Sequence, residues 1–311
     1  MTIALLTSNE DPAEWKQEVE KQLGEEIQVW PEIENREAVE YVLASAPPKG
    51  AIANLPNVKA VQSLWAGIEH ITSDPDFPKH LPIIRMVDIG LTEGMQDYVL
   101  GHVMLHHLNT IRYINAQKKK HWDPIDPPLA RQRKVAMLGL GKLGEACAQT
   151  LRQAGFQVLG WSRSQKEIDG IQCYSGDVGL KTVLSEASIL VNLLPNTPAT
   201  IKLLDAEKLS WMPKGASIVN PGRGTIFDDD ALVNALKSDA LSAVTLDVFW
   251  EEPLPKDHPF WGMDNVLITP HIASVTRVDT GAETAIANLK HLRAGKDIED
   301  LEGVVNPELG Y

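Results

Sequence analysis

Cysteine is nearly missing from this chain: Cys147 and Cys173 are the only two in 311 residues. Two thiols cannot build the disulfide framework of a small secreted scaffold, nor a four-sulfur zinc site. Long apolar runs are missing too, and no stretch nears the ~18 residues that a membrane-spanning helix needs. The opening MTIALLTSNEDP lacks the basic flank and apolar core of a secretory signal. Clustered positive charge is equally scarce. The formal net charge is −13, and the one basic run, Lys118 to Lys120, reads as a solvated helix end. Nucleic acid requires a basic surface, so neither a nucleic-acid nor a membrane partner is expected, and the expected compartment is cytoplasmic. The first forty residues hold eleven acids and three bases. An anionic ligand must therefore be held by local groups rather than by the bulk field. There is no low-complexity tract and no solenoid-type repeat.

What the chain does contain is short apolar runs alternating with helical patterns. IALLT (3–7), IQVW (27–30), YVLAS (41–45) and VKAVQSL (58–64) read as strands, and Asp11-Pro12 reads as a cap and first helical position. Apolar periodicity predicts one long helix from about Gln96 to Lys119. A proline-rich break, WDPIDPPLARQR, follows. A second series of strands then runs through KVAML, ILVNLL (189–194), ASIVN (216–220), AVTLDVF (243–249) and VLITP (266–270). The stretch from Arg277 to Leu292 reads as a helix that returns to the first domain. Strands interleaved with helices imply an α/β protein with parallel sheets covered on both faces.

Gly139, Gly141 and Gly144 form Gly-x-Gly-x-x-Gly, with Lys142 and Leu143 inside it. The motif follows an apolar strand and opens an amphipathic helix, the context that makes it a dinucleotide-binding turn. The first glycine permits the turn, the second lets the backbone approach a pyrophosphate, and the third lets helix and strand pack closely. About 20 residues past the glycines, an NAD-binding chain places an acid on the ribose 2′-hydroxyl. Here that stretch is WSRSQK. Ser162, Arg163 and Ser164 offer donors and positive charge, and Arg matches a phosphate with paired hydrogen bonds. The expected cofactor is NADP(H), with NAD(H) as the possible alternative. The metal reading of His102 and His106, four apart on the long helix, lacks a third ligand and a zinc-protease glutamate, so no metal is expected.

Three further stretches carry chemistry: NPGRG with Arg223, LDVFWEEP with Glu252, and TPH with His271. Each lies just past a predicted strand, where open parallel sheets bind ligands. Reducing a 2-oxo acid needs a cation for the carboxylate, a proton for the carbonyl oxygen and an oriented hydride. Arg223 suits the carboxylate and carbonyl. His271 suits the proton, since imidazole titrates near working pH. A neighbouring carboxylate would fix the imidazole tautomer, and Glu252 and Glu251 both stand in place for it.

VAMLGLGKLG, LLPNTPAT, NPGRGTIFDDDAL, LDVFWEEPLP and ITPHIASVT together resemble the D-isomer-specific 2-hydroxyacid dehydrogenase family over most of the chain from about Leu91 onward. LWAGIEHI (64–71) extends the likeness forward. WSRS, MQDYVL, PHIASVTR and the terminal Gly310-Tyr311 resemble its glyoxylate/hydroxypyruvate reductase branch. The resemblance implies two doubly wound, Rossmann-like domains: a flavodoxin-like substrate domain (1–96 and 274–311) with the cofactor domain (97–273) inserted in it. It implies NADPH-dependent reduction of small 2-oxo acids, with Glu252 rather than Glu251 as the partner of His271. Trp65, Ala66 and Gly67 would meet the substrate, and the N–H groups of Ala66 and Gly67 would bind its carboxylate. Asp247 would hold the nicotinamide carboxamide, Leu194 and Pro195 would border the adenosine side, and Pro221 and Gly222 would line the cofactor. A homodimer joined around 98–133, including Trp122, is also implied. The bulky Trp65 and the sequence NPGRG depart from the branch and leave the size of the substrate open. An NAD-linked dehydrogenase of larger D-2-hydroxy acids and a non-catalytic dinucleotide-sensing scaffold are the competing readings.

Overall fold

Sequence alternation becomes two parallel sheets in the structure, a computed structural model that describes residues 2–8 and 11–305. Gly310 and Tyr311 lie outside the described residues. The strands are β1 (Thr2–Thr7), β2 (Gln28–Val29), β3 (Val39–Ser45), β4 (Ala60–Ser63), β5 (Ile83–Ile84), β6 (Lys134–Leu138), β7 (Gln157–Ser162), β8 (Gln172–Ser175), β9 (Ile189–Asn192), β10 (Ala216–Asn220), β11 (Leu241–Leu246) and β12 (Val266–Ile268). The helices are α1 (Pro12–Leu23), α2 (Glu69–Thr72), α3 (Ile89–His107), α4 (Thr110–Lys118), α5 (Lys142–Gln153), α6 (Gly176–Glu186), α7 (Ala206–Ser210), α8 (Asp229–Lys237) and α9 (Val278–Arg293).

The chain divides into two units. One comprises residues 1–93 and 275–311, the other Gly94–Ser274, and the chain passes from the first to the second within α3. In the first unit the strand order is β2-β1-β3-β4-β5, all parallel. This is the flavodoxin-like order. Alternate side chains of its strands feed two cores. Ile3, Leu5, Tyr41 and Leu43 pack with Trp15 and Val19 of α1 and Ala282, Ala285 and Leu289 of α9. Ala4, Leu6, Val42 and Ala44 face the other way. Asp11 caps α1, its carboxylate accepting from Ala13 N at 2.9 Å, and Pro12 fills the first turn, where a missing N–H costs nothing.

In the second unit the order is β12-β11-β10-β9-β6-β7-β8, again all parallel. The order reverses between β6 and β9, and that switch point opens a crevice at the strands' carboxyl ends. Val135 and Met137 of β6 pack under Val99 and Val103 of α3 and Cys147 and Leu151 of α5. Ala136 and Leu138 pack on the opposite face with Leu180 and Val183 of α6 and Leu232 and Leu236 of α8. Burial pushes the Cys147 thiol up to about 12, so it behaves as a small apolar core residue.

The long helix departs from its sequence expectation. It starts at Ile89, where the Asp88 carboxylate accepts from Leu91 N at 2.9 Å, and it ends at His107. Asn109 then takes a left-handed φ of 55° before α4 begins. Asn tolerates that conformation better than other side chains, so the apolar periodicity runs on while the backbone breaks. The histidines of this stretch are packed groups. His106 Nε2 lies 2.9 Å from Thr245 Oγ1, and burial pushes its pKa down to about 3, leaving the ring neutral. His107 Nδ1 accepts from Arg133 Nε at 3.1 Å, and its ring stands edge-on to Phe156. Among the described residues, no helix is long and apolar enough to cross a membrane, and no group of three or more His, Cys, Asp or Glu could hold a metal.

Candidate active site

The glycine turn follows β6 and opens α5. Gly139 has φ 94°, a conformation that favours glycine, and a Cβ there would lie 2.7 Å from Leu193 O. A Cβ on Gly144 would lie 1.8 Å from Gly139 O, so helix and turn meet at a distance only glycine allows. Beside Gly141 the space is open. Lys142 is exposed at the first position of α5, and Leu143 packs on the core beneath. The arrangement leaves a bare backbone and a helix N-terminus facing one place, which fits a dinucleotide pyrophosphate.

Two buried asparagines tie the neighbouring strand ends together. Asn192 Nδ2 donates to Asn220 Oδ1 at 2.9 Å. Asn192 Oδ1 accepts from Leu194 N at 3.3 Å, and Asn220 Oδ1 accepts from Gly222 N at 3.3 Å. The Leu194-Pro195 and Pro221-Gly222 turns are thereby fixed beside the glycine turn. Sequence reasoning passed over both asparagines. Their signal was a polar residue closing an otherwise apolar strand in both ILVN and ASIVN.

WSRSQK sits against the same turn. Gly139 N donates to Trp161 O at 2.8 Å, so the end of β7 lies next to the first glycine. Ser162 Oγ donates to Ser164 O at 2.7 Å, while Arg163, Ser164 and Lys166 are exposed. Gln165 Nε2 donates to Cys173 O at 3.0 Å, and Ser175 Oγ donates to Gln165 Oε1 at 3.1 Å, which anchors the turn to β8.

Arg223, Glu252 and His271 follow β10, β11 and β12. Of the two adjacent glutamates, Glu252 is the one bonded to His271, with Oε2 2.6 Å from Nδ1. Its other oxygen accepts from Phe249 N at 2.9 Å. The Glu252 carboxylate holds the imidazole pKa above its usual value, against the opposing effects of burial and of the Arg223 charge. Burial raises Glu252, but hydrogen bonds from His271 and Phe249 N outweigh it and the net pKa is lowered. With Nδ1 occupied, Nε2 is the nitrogen left for chemistry. Arg223 Nη1 donates to Gly222 O at 2.8 Å. Its loop lies flat against the next one: a Cβ on Gly224 would sit 2.1 Å from the carbonyl carbon of Phe249, which explains the closing glycine of NPGRG.

Asp247 is wholly buried. Its carboxylate accepts from Thr269 Oγ1 at 2.5 Å, Ile272 N at 2.9 Å and Ala273 N at 2.9 Å, so it grips a side chain before His271 and the main chain after it. Trp65, Ala66 and Gly67 belong to the first unit, where they follow β4. Ser63 Oγ accepts from Trp65 N at 3.0 Å and lies 3.1 Å from Gly67 O, and the Trp65 ring rests on His70 with centroids 4.4 Å apart.

Comparison with known proteins places this arrangement among relatives. Residues 100–273 match the family model described as D-isomer specific 2-hydroxyacid dehydrogenase, NAD binding domain. The chain is 36% identical over 304 residues to the glyoxylate/hydroxypyruvate reductase A of Serratia proteamaculans, covering 96% of each protein. Among solved structures, a D-isomer specific 2-hydroxyacid dehydrogenase from Xanthobacter autotrophicus Py2, in complex with NADPH and MES, superposes with a TM-score of 0.95 at 34% identity, covering 100% of this chain and 99% of that one. An NADPH-dependent glyoxylate/hydroxypyruvate reductase from Sinorhizobium meliloti, in complex with NADP and sulfate, gives 0.92 at 29% identity over 100% of both.

Proposed function

The chain belongs to the D-isomer-specific 2-hydroxyacid dehydrogenase family and is an NAD(P)-dependent oxidoreductase, and from that premise we propose that it reduces small 2-oxo acids, glyoxylate and hydroxypyruvate, with NADPH. The observation that carries the reading is the His271–Glu252 pair at 2.6 Å, which raises the imidazole pKa, with the Arg223 charge close enough to act on both groups. It shares the carboxyl edge of one sheet with the glycine cradle. The residues present fit a bound dinucleotide, and NADPH when bound supplies the hydride. Arg223 holds the substrate carboxylate and polarises the carbonyl. His271 gives the proton on Nε2 to the carbonyl oxygen as the carbon is reduced, and Glu252 stabilises the imidazolium before that transfer. The product is the 2-hydroxy acid. Two free cysteines fit a reducing, cytoplasmic compartment. The exposed Trp122, at 94%, suits a homodimer formed along 98–133.

Purified protein is tested for NADPH oxidation with glyoxylate, hydroxypyruvate, pyruvate and phenylpyruvate, then with NADH. The expected result is the highest kcat/KM for glyoxylate or hydroxypyruvate with NADPH. Absence of turnover on every 2-oxo acid would overturn the reading, and preference for phenylpyruvate would move it to a larger substrate.

The raised His271 pKa predicts a pH profile. Reduction needs the protonated ring, so the rate is full below the His271 pKa and is lost as pH rises through it. Oxidation of the 2-hydroxy acid needs the neutral ring and shows the opposite limb. Glu252→Gln keeps a hydrogen-bond acceptor but removes the charge. Its alkaline limb in reductive kcat/KM is expected at a lower pH than in the parent. An unmoved limb would mean that Glu252 does not set the charge state of the acid.

A further inference from the structure

The segment that carries His271 is held from behind by a side chain outside the reacting set. Tyr98 lies on α3 within the second unit and is 8% exposed. Its hydroxyl is 2.7 Å from Thr269 Oγ1, which is 2.5 Å from Asp247 Oδ1. The same Oδ1 accepts from Ile272 N, and Oδ2 accepts from Ala273 N. His271 N lies 2.9 Å from Asp247 O and 3.1 Å from Thr269 O. His271 itself has φ 54°. That left-handed conformation is unfavourable for a non-glycine residue and persists only where the surroundings over-determine it.

The direction of the hydrogen bonds follows from the groups. The Asp247 carboxylate accepts from two main-chain N–H groups and the Thr269 hydroxyl. Thr269 spends its one hydroxyl proton on Asp247, so the phenol donates to Thr269. Burial pushes the Tyr98 pKa well above its ordinary value, so this donor keeps its proton through the working range.

We propose that Tyr98 is a positioning residue for the acid: by donating to Thr269 it orients the hydroxyl that clamps Asp247, and Asp247 holds His271 in the backbone conformation that meets Glu252. The role rests on reading His271 as the acid. The charged groups facing the ring are Glu252, Arg223 and Asp247, and all three are retained in every variant at Tyr98 or Thr269.

The variants are Tyr98→Phe, Thr269→Val, Thr269→Ser and the double Tyr98→Phe/Thr269→Val, all in the full chain. The first readout needs no substrate: the His271 ring is titrated by NMR. In Thr269→Val its pKa is expected to fall as the ring drifts from Glu252, and in Thr269→Ser to stay at the parent value. The second readout is reductive kcat, expected to drop about tenfold in Thr269→Val and less in Tyr98→Phe, with NADPH affinity within about twofold of the parent. The double variant is expected to match Thr269→Val alone, because the phenol acts only through that hydroxyl. Additive losses, or an unmoved ring titration and kcat in a folded Thr269→Val, would overturn the proposal. If Thr269→Val does not fold, Tyr98→Phe decides: unchanged titration and unchanged kcat together sink it. A parent protein that reduces no 2-oxo acid would refute the function, while the ring titration would still decide the positioning.

Discussion

His271→Ala is expected to lower reductive kcat by about 10²–10⁴-fold, the usual range for losing a general acid, while NADPH affinity stays within about twofold. The expectation follows from where the side chain works. Its Nδ1 is committed to Glu252 at 2.6 Å and its charge is favoured there, so on the proposed reading Nε2 is the proton source for a carbonyl oxygen. The glycine cradle is built by Gly139, Gly144 and Leu193 and does not depend on the imidazole. One complication is backbone. His271 has φ 54°, and Ala tolerates that region less well than Asn does. His271→Asn is therefore the companion variant, since it keeps the conformation and removes the acid. Equal losses in both variants, read in single-turnover reduction at saturating NADPH, identify the proton as what was lost. A large loss in Ala with near-parent kcat in Asn would make the residue structural. Unchanged kcat in both would put the acid elsewhere.

The parts of this molecule legible in the sequence are those encoded over short distances. Apolar strands alternating with amphipathic helices gave the α/β class, because the inner strands of both sheets, such as β1, β3, β6, β9 and β10, are buried on both faces and read as short apolar runs. The glycine motif was readable because a turn, a close approach and a helix start all fall within six residues. Less local features escaped. The start of α3 contains Gly90, which argues against a helix by propensity. The structure explains it by contact, since a Cβ there would lie 2.6 Å from Thr280 Oγ1. The break at Asn109 escaped because the apolar pattern continues across it. Asp247 is the clearest case. Sequence resemblance implied a ligand for it; the structure adds that its carboxylate is bonded to Thr269, Ile272 and Ala273, partners 22, 25 and 26 residues away. No window of sequence shows that a buried acid is the staple for a loop on the next strand, or that Tyr98 reaches the same hydroxyl from 171 residues away.

Cofactor choice carries the second large effect, and the proposed function assigns it to WSRSQK. Gly139 N bonded to Trp161 O fixes the end of β7 against the glycine turn, so on the proposed reading residues 162–164 meet the adenosine ribose of the dinucleotide. Arg163→Ala removes a charge-assisted contact to a 2′-phosphate, worth about 1.5–3 kcal/mol, or roughly 10–150-fold in kcat/KM for NADPH. NADH has no phosphate there and should lose little. Ser162→Asp adds a carboxylate that repels the phosphate and offers an acceptor to a ribose 2′-hydroxyl. It should lower NADPH use and raise NADH use, so that the double variant Ser162→Asp/Arg163→Ala reverses the preference. Stability is checked by the thermal midpoint of each variant, since Arg163 is exposed and Ser162 donates to Ser164 O within the turn. Surface changes of this kind usually stay within about 0.5 kcal/mol. Steady-state kinetics with both cofactors reads the outcome. If the ratio of kcat/KM for NADPH over NADH is unchanged in Arg163→Ala and in the double variant, the phosphate is not read at this turn. A fall in both cofactors alike would mean that the turn supports the binding crevice without choosing between them.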